Sequence, residues 1–146
     1  MASCLVSCRL HIVWSTKDRE PLITPSMQPR LFSYLGTVAE DLGSKPFAIG
    51  GVEDHVHLLL ALPATLTIAE LVQKLKANSS RFMREQTNIP FAWQKRYGAF
   101  SVSASHVNAT VAYIRNQREH HRKRDYKSEM RAILRKHGIE DEEIFV

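Results

Sequence analysis

A chain of 146 residues, 44% of them hydrophobic and 24% charged, has the length and balance of one domain with a core of its own. No apolar run approaches the roughly 20 residues a membrane helix needs, and the first residues lack the basic start and long apolar segment of a secretory signal, which predicts a cytoplasmic protein. The net charge of +5 and the pI of about 9.4 turn attention to polyanionic partners.

Residues 8–15 are rich in β-formers and predict a first strand. On an extended chain Cys4 and Cys8 would lie ~13 Å apart, too far for a disulfide, so both are expected as free thiols. Met27, Leu31, Leu35, Val38 and Leu42 then recur at helical spacing, and Gly43 supplies a stop. Residues 46–52 and 55–62 predict the second and third strands, joined by a tight connection at 52–54, with Pro63 ending the third. Thr67 and Glu70 form a capping box ahead of Ile68, Leu71, Val72 and Leu75, the stripe of a second helix. Residues 81–96 read as irregular and 98–104 as a fourth strand. A third helix is expected over 106–122 and a fourth over 128–137, stopped by Gly138.

The order β-α-β-β-α-β followed by helices is the ferredoxin-like arrangement, an α+β fold with an antiparallel sheet and additional C-terminal helices. Its first and third strands are central. The third carries His55 and His57, two apart and therefore projecting from one face, while Val56, Leu58 and Leu60 line the other. His11 on the neighbouring strand is a candidate for the same face. The first two helices are expected over Val56 and Leu58, leaving the histidine face to the C-terminal helix, the only long element remaining.

That helix has an apolar stripe of Val107, Val111 and Ile114. Tyr113 and Gln117, four apart, share a face about 100° from the stripe, and His120 continues it. Two imidazoles and an amide oxygen would hold a divalent ion with coordination positions left open, and a mixed nitrogen and oxygen set admits Mg²⁺ or Mn²⁺ without excluding zinc. Such an ion acts as a Lewis acid on a phosphodiester. Tyr113 would be the nucleophile, and its ordinary pKa of about 10 calls for activation. Each piece has a plainer reading: a half-buried strand feature for the histidine pair, helix packing for Tyr113, and solvated basic surface for His120 and His121. The pattern gains weight because all of it falls on the one sheet face the topology leaves open.

Charge is concentrated in the same region. Residues 115–136 hold nine Lys/Arg against three Asp/Glu, and residues 70–96 hold six Lys/Arg against two Glu. The residues from Glu140 to Glu143 are all acidic.

Taken together, these residues resemble the single-tyrosine HUH transposases of insertion sequences, with the REP-associated tyrosine transposases as close relatives. Residues 12–19 resemble the first strand and loop of that family, and Asp54 to Leu58 its histidine-hydrophobic-histidine signature. Residues 71–76 resemble its second helix, 93–102 the aromatic loop leading into its fourth strand, and 113–122 its tyrosine helix. The resemblance implies cutting and rejoining of single-stranded DNA at the ends of a mobile element, through a 5′-phosphotyrosine and a free 3′-hydroxyl. It implies recognition of subterminal hairpins, and a homodimer whose active sites pair the histidines of one subunit with the tyrosine helix of the other. By position it makes His55, His57 and Gln117 the metal ligands and Tyr113 the nucleophile. Lys74, Lys76, Arg81, Arg115, Arg118, His120, Arg122 and Lys123 become candidate DNA contacts, mostly to phosphate. The competing readings are a non-catalytic single-stranded nucleic-acid-binding module, a domesticated descendant that binds hairpin DNA without cutting, and a metal-dependent nuclease that uses water. A nucleic-acid module of this topology places exposed aromatics on its sheet, where this chain offers histidines and aliphatics.

Overall fold

The structure is a computed structural model and describes residues 4–140. Strands β1 (Arg9–Ser15), β2 (Pro46–Gly51), β3 (His55–Ala61) and β4 (Gly98–Ser101) form one antiparallel sheet in the order β2-β3-β1-β4. The first and third strands are central, as the βαββαβ reading requires. Residues 52–54 close the β2–β3 hairpin, with Val52 N–H donating to the His55 carbonyl at 3.1 Å. Cys4 and Cys8 are free thiols.

Strand alternation divides the core in two. Ile12, Trp14, Val56, Leu58 and Leu60 point to one face, where they pack with Leu31, Leu35 and Ala39 of α1 (Gln28–Asp41) and with Leu71, Val72, Leu75 and Met83 of α2 (Ile68–Thr87). Helix α1 ends at Gly43, whose φ of +84° no other residue adopts cheaply. The Thr67–Glu70 capping box is formed in both directions. Thr67→Ala removes one arm of it and should cost about 1 kcal/mol, read as a lower urea midpoint at unchanged slope.

Helix α2 runs further than the sequence reading allowed. Residues 81–87 are helical, because Met83 continues the buried stripe of Leu75 and Ser79, and Asn88 ends the helix in the left-handed conformation at φ 58°. Strand β4 is shorter than expected, ending at Ser101 before a single 3-10 turn at Ala104–His106.

The opposite face carries His11, Val13, His55, His57, Leu59 and Phe100. Two helices cover it, not one. Helix α3 (Val107–Arg115) lays Ile114 on Ala48 and Leu59. Helix α5 (Tyr126–Lys136) lays Tyr126, Met130 and Leu134 on Val13 and Phe100. The expected single helix over 106–122 is broken at Asn116 (φ −105°, ψ 25°), after which α4 spans only Gln117–His120. Helix α5 starts at Tyr126, two residues earlier than predicted, because the Asp125 carboxylate caps it by accepting the Ser128 N–H at 2.9 Å.

One row across the sheet fixes how close these helices come. Gly50, His57, Val13 and Gly98 are successive cross-strand partners. A Cβ on Gly50 would stand 2.5 Å from the Ile114 carbonyl oxygen, and one on Gly98 2.8 Å from the Phe100 ring and 3.4 Å from Met130. The two glycines let α3 and α5 settle on either side of His57. Among the described residues no helix is long and apolar enough to cross a membrane.

Candidate metal centre and tyrosine

His55 and His57 are both fully buried on β3. The Nδ1 of His55 lies 2.7 Å from the Asp54 carboxylate, which turns Nε2 inward. The Nδ1 of His57 lies 2.8 Å from Nε2 of His11, so His57 also presents Nε2 to the interior. A histidine tied at one ring nitrogen by a carboxylate or another hydrogen-bonding group is the usual support of a metal-ligating imidazole.

The inward nitrogens meet a carboxylate that the sequence reading did not single out. Glu129, only 1% exposed, reaches down from α5. Its Oε1 lies 3.2 Å from His55 Nε2, 3.0 Å from His57 Nε2 and 3.1 Å from His121 Nε2. Its Oε2 accepts the hydrogen bond of the Tyr113 hydroxyl. The four potential ligand atoms of His55, His57, His121 and Glu129 all lie within 4.8 Å of one another. A divalent cation fits such a set, since imidazole nitrogens and a carboxylate oxygen are its ordinary ligands and the nitrogens are already aimed at one point.

Tyr113 and Gln117, predicted to share a face, do come to the histidines. The Tyr113 ring centroid is 5.7 Å from that of His57. Gln117, buried, has Oε1 3.4 Å from His55 Nε2 and Nε2 3.5 Å from the Tyr113 carbonyl. His120 stays outside this cluster, its ring 4.6 Å from that of Tyr113, while His121 enters it. The tyrosine therefore sits beside the histidines of its own chain.

The charges follow from these contacts. Burial works against a charge on His55, but the hydrogen bonds to Asp54 and Glu129 outweigh it and raise its pKa to about 9. Burial lowers His57 to about 4 and His11 to about 3, so both are neutral. Burial also works against the Glu129 charge, yet the hydrogen bonds from His121, His55 and His57 hold its carboxyl far below the usual carboxylate range. Burial, followed by the Glu129 charge, pushes the Tyr113 hydroxyl above its ordinary value. These contacts make a buried imidazolium–carboxylate pair of His55 and Glu129 beside the neutral imidazoles of His57 and His11 and the protonated phenol of Tyr113.

Tyr113 faces open space on two sides. A cavity of about 350 Å³ is lined by His11, His106, Thr110, Tyr113, Arg124, Glu129, Lys136 and His137 among others. A second, of about 450 Å³, is lined by Tyr113, Asn116, Glu119, His120, Lys123 and Arg124.

The candidate DNA contacts divide between the two sides of the sheet. Arg115, Arg118, Arg122 and Lys123 are exposed around the tyrosine segment, where Arg118 pairs with Glu53 at 3.5 Å and Arg122 with Glu119 at 3.4 Å. Exposed pairs of this kind are weak and open readily. Lys74 and Arg81 are exposed on α2, across the sheet from the histidines. Lys76 is otherwise employed. Its amine donates to the Gln94 and Arg96 carbonyls at 2.9 and 2.8 Å and lies over the Trp14 and Tyr97 rings, and burial lowers its pKa to about 8.

A sequence signal for Glu129 did exist. Tyr126, Met130, Ile133 and Leu134 occupy the inward positions of an amphipathic helix, and Glu129 takes the one remaining inward position, three after Tyr126. A helix started at 128 leaves out Tyr126 and hides that pattern.

Residues 4–117 match the sequence family described as IS200-like transposase. No curated protein matches the chain significantly. Among solved structures, a candidate transposase from Deinococcus radiodurans R1 is 27% identical, with a TM-score of 0.64 over 80% of this chain and 96% of that one. A REP-associated tyrosine transposase bound to a REP hairpin is 16% identical, with a TM-score of 0.56 over 80% of this chain and 72% of that one, a likeness of fold.

Proposed function

The chain belongs to the IS200-like transposase family, and on that premise we propose that it cuts and rejoins single-stranded DNA at transposon ends, with Tyr113 as nucleophile. The observation that carries this reading is the Tyr113 hydroxyl, held by Glu129 beside the paired imidazoles of His55 and His57. The substrate is proposed to be single-stranded DNA with a subterminal hairpin, supported by the fold shared with the REP-hairpin complex. The enzyme works as one domain over residues 1–146, in the cytoplasm.

A divalent ion, Mg²⁺ or Mn²⁺, held at His55, His57 and Gln117, would supply Lewis-acid polarisation of the scissile phosphate. The chain's own groups do the rest. Tyr113 Oη attacks phosphorus, the new O–P bond forms as the P–O3′ bond breaks, and the products are a 5′-phosphotyrosine and a free 3′-hydroxyl. Because burial and the Glu129 charge disfavour a free phenolate, Tyr113 attacks as the hydroxyl, oriented by its bond to Glu129 Oε2, and the phenol proton is released to solvent as the departing O3′ takes one up, so the step is proton-neutral. The phosphotyrosine keeps the energy of the phosphodiester, so a 3′-hydroxyl attacking it rejoins the strand without ATP. Asp54 and His11 keep His55 and His57 in one orientation throughout. Arg115, Arg118, Arg122 and Lys123, with His120 against the Tyr113 ring, are proposed to hold the strand by its phosphates and give salt-dependent affinity. Lys74 and Arg81 would meet DNA only where it wraps round to the α2 side.

The deciding experiment incubates the protein with Mn²⁺ or Mg²⁺ and labelled single-stranded hairpin DNA taken from the genomic flanks, followed by a denaturing gel. A covalent adduct is expected, and Tyr113→Phe should abolish it with at least a thousandfold loss of cleavage. Cleavage that survives Tyr113→Phe would instead assign a nuclease using water, and binding with neither product would assign a binding module. A homodimer is part of the proposal, but Tyr113 and the histidines meet within one chain, so the mechanism does not need the tyrosine helix of the other subunit. Light scattering at micromolar concentration should give the mass of two chains, and a 16.7 kDa particle would reject the pairing.

A further inference from the structure

We infer that His121 and Glu129 complete the grip on the divalent ion begun by His55 and His57, making an imidazole-rich site that takes Mn²⁺ or a later transition-metal ion in preference to Mg²⁺. The inference rests on the proposed metal at the histidine pair and extends it to two residues beyond the family-matched segment, which ends at Gln117.

Geometry carries the argument. Three imidazole Nε2 atoms from two distant parts of the chain, β3 and the segment after α4, converge on one carboxylate oxygen at 3.0 to 3.2 Å. A carboxylate at an inward position of an apolar helix face is costly unless it is paired and hydrogen-bonded. Glu129 is paired by the same nitrogens that a cation would draw upon. His55 and His57 are each tied at Nδ1, by Asp54 at 2.7 Å and His11 at 2.8 Å, so Nε2 alone is left to face inward. When a cation takes the His57 Nε2 lone pair, the ring proton moves to Nδ1 and the His11 contact persists with donor and acceptor exchanged. The second carboxylate oxygen of Glu129 stays on the Tyr113 hydroxyl, so one side chain spans the cation and the nucleophile.

Donor chemistry then selects the ion. With the Gln117 amide oxygen 3.4 Å from His55 Nε2, the site offers three nitrogens and two oxygens. Mg²⁺ prefers oxygen ligands and gives up water reluctantly. Imidazole suits iron, nickel, copper and zinc, and the affinity of a nitrogen- and oxygen-donor site generally rises from Mn²⁺ through Fe²⁺ and Co²⁺, so the later ions are favoured most and Mn²⁺ is the weakest of the series.

Calorimetric titration of the metal-stripped full chain with Mn²⁺ and with Mg²⁺ tests this without any DNA. The wild type should bind Mn²⁺ at least tenfold more tightly than Mg²⁺, a comparison that needs no variant to fold. Glu129→Gln and His121→Ala should each weaken Mn²⁺ at least tenfold, with far-UV circular dichroism confirming the fold. Glu129→Gln binding Mn²⁺ as tightly as the wild type, or more tightly, overturns the inference and makes the carboxylate a competitor of the ion. Equal affinity for Mn²⁺ and Mg²⁺ overturns the selectivity. His55→Ala separates the two levels. If it abolishes binding while Glu129→Gln and His121→Ala do not, the metal reading of the function stands and this inference falls. If the wild type binds no Mn²⁺, both fall.

Discussion

Substituting alanine for Gly50 is expected to cost the protein both stability and strand cleavage. The added Cβ would stand 2.5 Å from the Ile114 backbone oxygen and 3.1 Å from the Ile114 side chain. A backbone atom cannot rotate out of the way, so α3 has to lift from β2. Overpacking of this kind costs about 1–3 kcal/mol. Tyr113 immediately precedes Ile114, and its hydroxyl meets Glu129 across the His57 ring. A displacement of about 1 Å at a reacting atom can cost on the order of a hundredfold in rate. Urea denaturation should therefore show a lower midpoint, and single-turnover adduct formation should fall about a hundredfold under conditions where the variant is still folded. Wild-type adduct formation in folded Gly50→Ala would show that the nucleophile does not depend on this close approach.

With metal withheld by a chelator, stability should be greatest near pH 6.5 and fall on both sides. His55 has a folded pKa of about 9 against an ordinary 6.5. Its contribution is fully present below pH 6.5 and is lost as pH rises through about 9. At about 1.4 kcal/mol per unit, that is about 3 kcal/mol across this window. His57 and His11 act in the opposite sense, with folded values of about 4 and about 3. Below pH 6.5 the unfolded chain takes protons that these two buried rings refuse, so stability falls by several kcal/mol on the way to pH 4. Glu129, held far below its ordinary 4.5, adds to the acid-side fall. Urea midpoints at pH 4.5, 6.5 and 9 check both limbs. The alkaline limb should disappear in His55→Ala, and a flat wild-type profile would mean that the buried cluster does not carry these charges.

The sheet and the histidine pair were legible in the sequence because they depend on a period of two, the most local signal available. Strand alternation placed His55 and His57 on one face, put Val56 and Leu58 on the other, and brought His11 to the histidine side. Helical spacing brought Tyr113 and Gln117 to the same region. The break at Asn116 left no comparable trace, since Asn tolerates a helix interior in many contexts and only packing shows that α4 turns away. The reach of α2 to Thr87 was visible in Met83 but was masked by the polar run from Asn78 to Arg81. Gly50 and Gly98 could not be assigned a purpose in advance, because their role lies in helices that approach from far along the chain. The same distance hid Glu129. It meets His57 across 72 positions, on a helix whose first residue is set by the Asp125 cap and not by any apolar period.

That long separation also dictates an order of assembly. The sheet, the histidine pair and the tyrosine segment are all synthesised before the residue that gathers them, and chains fold from the N-terminus as they are made. A nascent chain holding β1 to β4 has a finished core on the α1–α2 side and bare imidazoles on the other. Docking of α5 covers Val13 and Phe100 and brings Glu129 to the histidines, so the centre forms only after residues 126–136 have been made.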